Sequence, residues 1–84
     1  MVWSVYIILC HDGSLYTGIT TDVQRRFRQH QQLKGAKYFR IHRPQSVLFV
    51  EDGHSHSSAL AREAEIKALS RPQKLQWLKE LRLI

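Results

Sequence analysis

The sequence predicts an α/β chain of the α+β type, a small three-stranded antiparallel sheet flanked by helices in the order ββαβαα. Three observations predict it. Two apolar runs rich in β-branched and aromatic residues, Val2–Cys10 and Ser14–Thr20, flank the turn signal His11-Asp12-Gly13. Three later stretches open on helix-capping residues and continue at helical spacing. A short apolar run, Val47–Val50, lies between the first and second of these. The 84 residues suit one domain, 1–84, close to the size limit for a core that is stable unaided.

The first turn decides which side chains share a face. A two-residue Asp12-Gly13 loop pairs Leu9 with Tyr16 and sends Tyr6 and Tyr16 to opposite faces. A three-residue loop, with Gly13 in the left-handed region, pairs Cys10 with Ser14, Tyr6 with Gly18 and Ile8 with Tyr16. It collects Val5, Ile7, Leu9, Leu15 and Ile19 on one face. Ser4, Tyr6, Ile8, Tyr16, Gly18 and Thr20 fall on the other. This segregation suits a one-sided core, so the three-residue turn is expected, with both tyrosines on one face.

Thr20, Thr21 and Asp22 offer caps for a first helix running to about Leu33, with Gly35 beyond its end. Val23, Phe27 and His30 form its inward stripe, with Arg26 at the edge. Residues Gly35 to Pro44 read as a basic, aromatic loop with room for one short helical turn. Val47–Val50 is the third strand, and Asp52-Gly53-His54-Ser55 a turn. Ser57 or Ser58 caps a helix from about Ala59 to Leu69, with Glu63 on the stripe of Ala59, Leu60, Ile66 and Lys67. Ser70 and Pro72 start a last helix, in which Leu75, Leu78 and Leu81, with Trp77 alongside, supply the apolar side. Such a sheet needs helical cover.

Composition narrows the function classes. A hydrophobic content of 43% excludes a disordered chain. The net charge of +6 points to polyanionic partners. The single cysteine, Cys10, forms no internal disulfide and builds no zinc site, which fits a reducing cytoplasm. No signal peptide or membrane-spanning run is expected. The chain carries no phosphate-binding glycine loop and no nucleophile elbow. His54 and His56 lack a third ligand partner and read as loop residues.

The candidate chemistry is spread along the chain. Two tyrosines on one face can floor a site. A phenol, with its ordinary pKa near 10, acts as a base only beside cations or by passing its proton onward. Each tyrosine alone is also a favoured strand residue. Arg26 suits a phosphate oxyanion, and His30, one turn later, suits a proton relay. By spacing alone Glu63 makes a salt bridge to Lys67. One carboxylate with phosphate oxygens and waters is also a normal magnesium arrangement.

Taken in order, these residues resemble the GIY-YIG nuclease superfamily, in particular its small stand-alone bacterial members of the YhbQ-like type. Ser4-Val5-Tyr6 resembles the first motif, and Tyr16-Thr17-Gly18 the second. Arg26, His30, Gly35-Ala36-Lys37-Tyr38 and Arg62-Glu63-Ala64-Glu65-Ile66-Lys67 resemble the later blocks. The resemblance implies a metal-dependent endonuclease that hydrolyses phosphodiester bonds in DNA, with repair or recombination as candidate settings. It implies that Tyr6 and Tyr16 position or deprotonate the attacking water, and that Arg26 stabilises the pentacovalent phosphate. His30 would move protons, and Glu63 would hold magnesium, with manganese as a substitute. Gly18 would let the backbone bend close to the site. Lys37, Tyr38, Arg40, Arg43 and Lys67 are the expected nucleic-acid contacts, with Tyr38 stacking on a base; RNA is the alternative substrate.

Departures from the family pattern are Ser4 for its first glycine and Thr17 for its middle isoleucine. Ile19 stands where repair-type members carry lysine, and no asparagine follows the glutamate helix. Many family nucleases gain affinity from an appended DNA-binding domain; a bare module is expected to bind weakly and in a salt-sensitive way. A weakly catalytic nucleic-acid-binding module, or a subunit whose protein partner supplies specificity, therefore stands as the alternative.

Overall fold

The computed structural model describes residues 1–34 and 36–84. The elements are β1 (Trp3–Cys10), β2 (Leu15–Thr20), α1 (Val23–Gln31), a 3-10 turn (Lys37–Arg40), β3 (Pro44–His54), α2 (His56–Lys67) and α3 (Arg71–Glu80). The strands form one antiparallel sheet in the order β2-β1-β3. This is the expected ββαβαα arrangement. The expected cap role of Gly35 lies outside the described residues.

The three-residue turn forms. Cys10 N–H donates to Ser14 C=O at 2.9 Å, Gly13 N–H donates to Cys10 C=O at 2.9 Å, and Gly13 takes φ 84°. Tyr6 pairs with Gly18 and Ile8 with Tyr16, so both tyrosines share a face. The core, however, is two-sided. Val5, Ile7, Phe49, Ala59, Ile66 and Leu78 pack beneath α2 and α3 on one face. Tyr6, Ile8, Cys10 and Phe39 pack with Val23, Phe27 and Tyr16 beneath α1 and the 3-10 turn on the other. The aromatic face is as buried as the aliphatic one because rings bury large apolar areas and need cover just as much.

Several boundaries differ from expectation. β3 spans 11 residues and continues through Asp52-Gly53-His54, because bulges let it follow β1 to its start; Trp3 pairs with His54. Gly53, at φ 82°, supplies the left-handed residue inside that strand. Ser55, not Ser57 or Ser58, caps α2, accepting a bond from Ser58 N–H, because its extended backbone points its hydroxyl along the helix axis. Within α2, Ala59 and Ile66 are buried but Leu60 is exposed. Ser70 and Gln73 close a capping box on α3, whose Leu78 is buried and whose Trp77 packs on Phe49 at 4.9 Å. Leu81 lies past the helix end and is exposed.

Candidate active site

Tyr6 lies on the central strand, yet its ring reaches out across edge strand β2. It does so over Gly18: a methyl group placed there would meet the Tyr6 hydroxyl at 2.6 Å and a Tyr16 ring carbon at 3.0 Å. The glycine is needed as empty space for two rings. The structure thus gives the glycine a steric reason.

Asp22 caps α1 by accepting from Arg25 N–H, which starts the helix so that His30 faces the sheet. His30 is fully buried, and its Nε2 lies 2.9 Å from the Tyr6 hydroxyl. Its other ring nitrogen, Nδ1, is buried without a partner among the described residues. Burial, with a smaller push from the Arg26 charge, drives the His30 pKa down to about 4. Burial also pushes the Tyr6 phenol up to about 12, reinforced by Tyr16 and Glu63 and opposed by Arg26. Near neutral pH both members of the pair are uncharged. Tyr6 is therefore no phenolate; it is a phenol bonded to a neutral imidazole.

Arg26 is half-buried one turn before His30, and its Nη1–H donates to Gln29 Oε1 at 3.0 Å. Sequence reasoning missed Gln29; the signal was its i,i+3 spacing from Arg26. Both residues line a hollow of about 320 Å³ with Thr20, Thr21 and Arg25. Arg25 and Arg28 lie on the solvent side, as expected.

Glu63 comes from α2, on the opposite face of the sheet, and stands close enough to influence Tyr6. It makes the salt bridge to Lys67 expected from spacing, at 3.3 Å, while its side chain stays 19% exposed. Among the described residues no three His, Cys, Asp or Glu side chains form a metal-binding group. The donor set is thus the single, partly exposed carboxylate of Glu63. That set fits magnesium, which takes one or two carboxylates and fills its octahedron with substrate oxygens and waters.

Lys37, Arg40 and Arg43 are exposed on and after the 3-10 turn, and Tyr38 is half-buried there. Lys67 is exposed apart from its bridge to Glu63. Arg62 is engaged elsewhere, bonded to Glu51 and Glu65. His54 bonds to Glu51 and Ser58, while His56 packs on Trp3 at 4.5 Å, so the two histidines form no pair. A contact the sequence did not reveal joins Asp12 and His42, 30 positions apart. Each residue stood out only singly, one in a turn and one in a basic loop.

Residues 2–76 match the GIY-YIG catalytic domain family. A UPF0213 protein of Staphylococcus epidermidis is 49% identical over 76 residues, covering 90% of this chain and 93% of that protein. One from Streptococcus sanguinis is 47% identical, covering 90% of this chain and 87% of that protein. The solution NMR structure of a UPF0213 protein from Bacillus halodurans superposes with a TM-score of 0.61 at 44% identity, covering 94% of this chain and 84% of that one. The solution NMR structure of a protein from E. faecalis gives a TM-score of 0.65 at 38% identity, covering 100% and 90%. Sequence and fold agree along nearly the whole length: the chain belongs to the GIY-YIG family, whose domains are nucleases.

Proposed function

We propose that the protein is a divalent-metal-dependent endonuclease that hydrolyses phosphodiester bonds in DNA. The observation that carries this reading is the buried Tyr6–His30 pair, 2.9 Å apart, within the influence of both Arg26 and Glu63. Water attacks phosphorus, a new P–O bond forms, and the bond to the leaving oxygen breaks. The water's proton passes to the Tyr6 oxygen as the Tyr6 proton passes to His30 Nε2. The neutral imidazole leaves Nε2 free to accept the Tyr6 proton. A phosphate that neutralises Arg26 also relieves one of the two causes depressing the His30 pKa. Tyr16 holds the attacking water and the Tyr6 ring in place. Arg26 binds the oxyanion as charge builds on phosphorus.

A magnesium ion held by Glu63, or manganese in its place, would polarise the phosphate and neutralise the leaving oxygen. Lys37, Arg40, Arg43 and Lys67 hold the flanking phosphates. A reducing cytoplasm and a role in repair or recombination suit this chemistry, with a protein partner adding specificity. The second reading is a weakly catalytic nucleic-acid-binding module. The retained Tyr6, Tyr16, Arg26 and Glu63 favour the nuclease over this module.

The test is cleavage of plasmid, single-stranded and branched DNA and structured RNA, with magnesium or manganese. Arg26→Ala is expected to lower the rate roughly 100- to 1,000-fold, as for other removed oxyanion donors. Glu63→Ala is expected to abolish the metal response. Cleavage that survives both substitutions refutes the assigned site, and binding without cleavage of every substrate supports the second reading.

A further inference from the structure

An aromatic column leads from the tyrosine pair to the surface. Tyr16 packs on Tyr38 at 5.3 Å, and Tyr38 is stacked on His42 at 4.3 Å with 27° between the rings. Phe39 stands edge-on to Tyr38 at 5.5 Å. The half-buried Tyr38 therefore packs between Tyr16 and His42, with Phe39 at its edge. The column ends at His42, whose side chain is 31% exposed.

His42 is held rigidly. Its Nδ1 bonds to Asp12 Oδ2, while Asp12 Oδ1 accepts from Ser14 N–H at 3.0 Å and Ser14 Oγ–H at 2.6 Å. These bonds keep the Asp12 carboxyl well below the usual carboxylate range. The backbone is tied as well. His42 N–H donates to Tyr38 C=O at 3.1 Å, and His11 N–H donates to Arg43 C=O at 2.9 Å, joining the loop to the β1–β2 turn.

A carboxylate only accepts hydrogen bonds and does not itself hold phosphate. Both Asp12 oxygens are instead taken up by Ser14 and His42, so its service is to the ring. Among the described residues the one hydroxyl bonded to this pair, that of Ser14, is turned toward Asp12, which leaves no nucleophile for His42 to activate.

We propose that the outer face of His42 is a base-stacking platform, and that the substrate is single-stranded where it crosses the 3-10 turn. This deepens the nuclease reading and rests on it. Imidazole rings stack on unpaired bases, and a ring already fixed loses no rotamer freedom on binding. In a duplex both faces of each base are covered by its neighbours, so only an unpaired base can lie on His42. The exposed Lys37, Arg40 and Arg43 then hold the phosphates on either side. The column places that nucleotide three ring contacts from Tyr16 and its buried neighbour Tyr6.

The test is binding by the full chain, with chelator present so that no cleavage occurs. Fluorescence anisotropy compares a labelled strand of about 12 nucleotides, its duplex, and the same strand carrying abasic sites. Wild type is expected to prefer the intact single strand. His42→Ala is expected to weaken that binding roughly tenfold, leave the duplex and abasic strands nearly unchanged, and lose the preference. His42→Trp is expected to restore it, and thermal melts check that each variant folds. The proposal is overturned if wild type shows no single-strand preference, or if His42→Ala stays within about twofold of wild type on the single strand. It is equally overturned if His42→Ala weakens single strand and duplex alike, or if a folded His42→Trp does not recover. The cleavage test with Glu63→Ala fails or succeeds independently of these outcomes.

Discussion

At the residue scale, the site depends on one missing methyl group. Tyr6 is 2% exposed and bonded to His30, so its hydroxyl has no room to retreat from a side chain at position 18. Gly18→Ala is therefore expected to push the ring out of line and cut the cleavage rate about 100-fold, as displacements of about 1 Å commonly do. Circular dichroism should still show a folded chain, since the substitution sits on an edge strand. Wild-type kinetics after Gly18→Ala would mean that the Tyr6 position does not matter. The same paired rings explain why the phenol stays protonated: burial outweighs the nearby Arg26 charge.

At the element scale, α1 carries Arg26 and His30, and its two ends set where they stand. Asp22 fixes the start. The end is a Schellman motif: Leu33 N–H donates to His30 C=O at 3.0 Å and Lys34 N–H to Gln29 C=O at 2.8 Å. The left-handed residue in it is Leu33, at φ 60°, where glycine is ordinarily found. The Leu33 side chain is 43% exposed and fills no core. Leu33→Gly is expected to stabilise the fold by about 0.5–1 kcal/mol, read as a higher urea midpoint. A lower midpoint would show that the Leu33 side chain contributes packing that outweighs the backbone strain. Caps are short-range signals, so Asp22 and Ser70 were legible in the sequence. Ser55 was hidden because Ser57 and Ser58 compete with it in the same run.

At the scale of the whole molecule, a three-stranded sheet is stabilised by two cores, and His30 belongs to the one that also carries the site. Its folded-state pKa, about 4, lies below its ordinary 6.5, so as pH falls the unfolded chain binds the proton first. Stability from this group is complete above pH 6.5 and is lost as pH drops toward 4, by roughly 2–3 kcal/mol. Glu51, where bonds to His54 and Arg62 outweigh the opposing effect of burial, and Asp12, lowered by Ser14 and His42, add their own losses only as pH falls into the ordinary carboxylate range and below it. Urea unfolding of wild type between pH 7 and 4.5 is expected to show the decline, and His30→Gln to flatten it. An identical slope in the variant would place the titrating group elsewhere.

The sequence by itself determined what short-range rules control. The odd-length turn and the alternation of side chains put Tyr6 and Tyr16 on one face, and helical spacing put Arg26 and His30 on one stripe. The types of chemistry were legible in the same way, because phenol, guanidinium and carboxylate carry their reactivity with them. Only the tertiary structure decided the rest: the core on both faces, the full length of β3, the bond between Tyr6 and His30 across 24 positions, and the Asp12–His42 tie across 30. It also decided that Glu63 comes to Tyr6 from the far side of the sheet. Periodicity says which way a side chain points from its own element. Which partner it meets depends on how helices and strands fill space together, and here that was settled by the room left above Gly18.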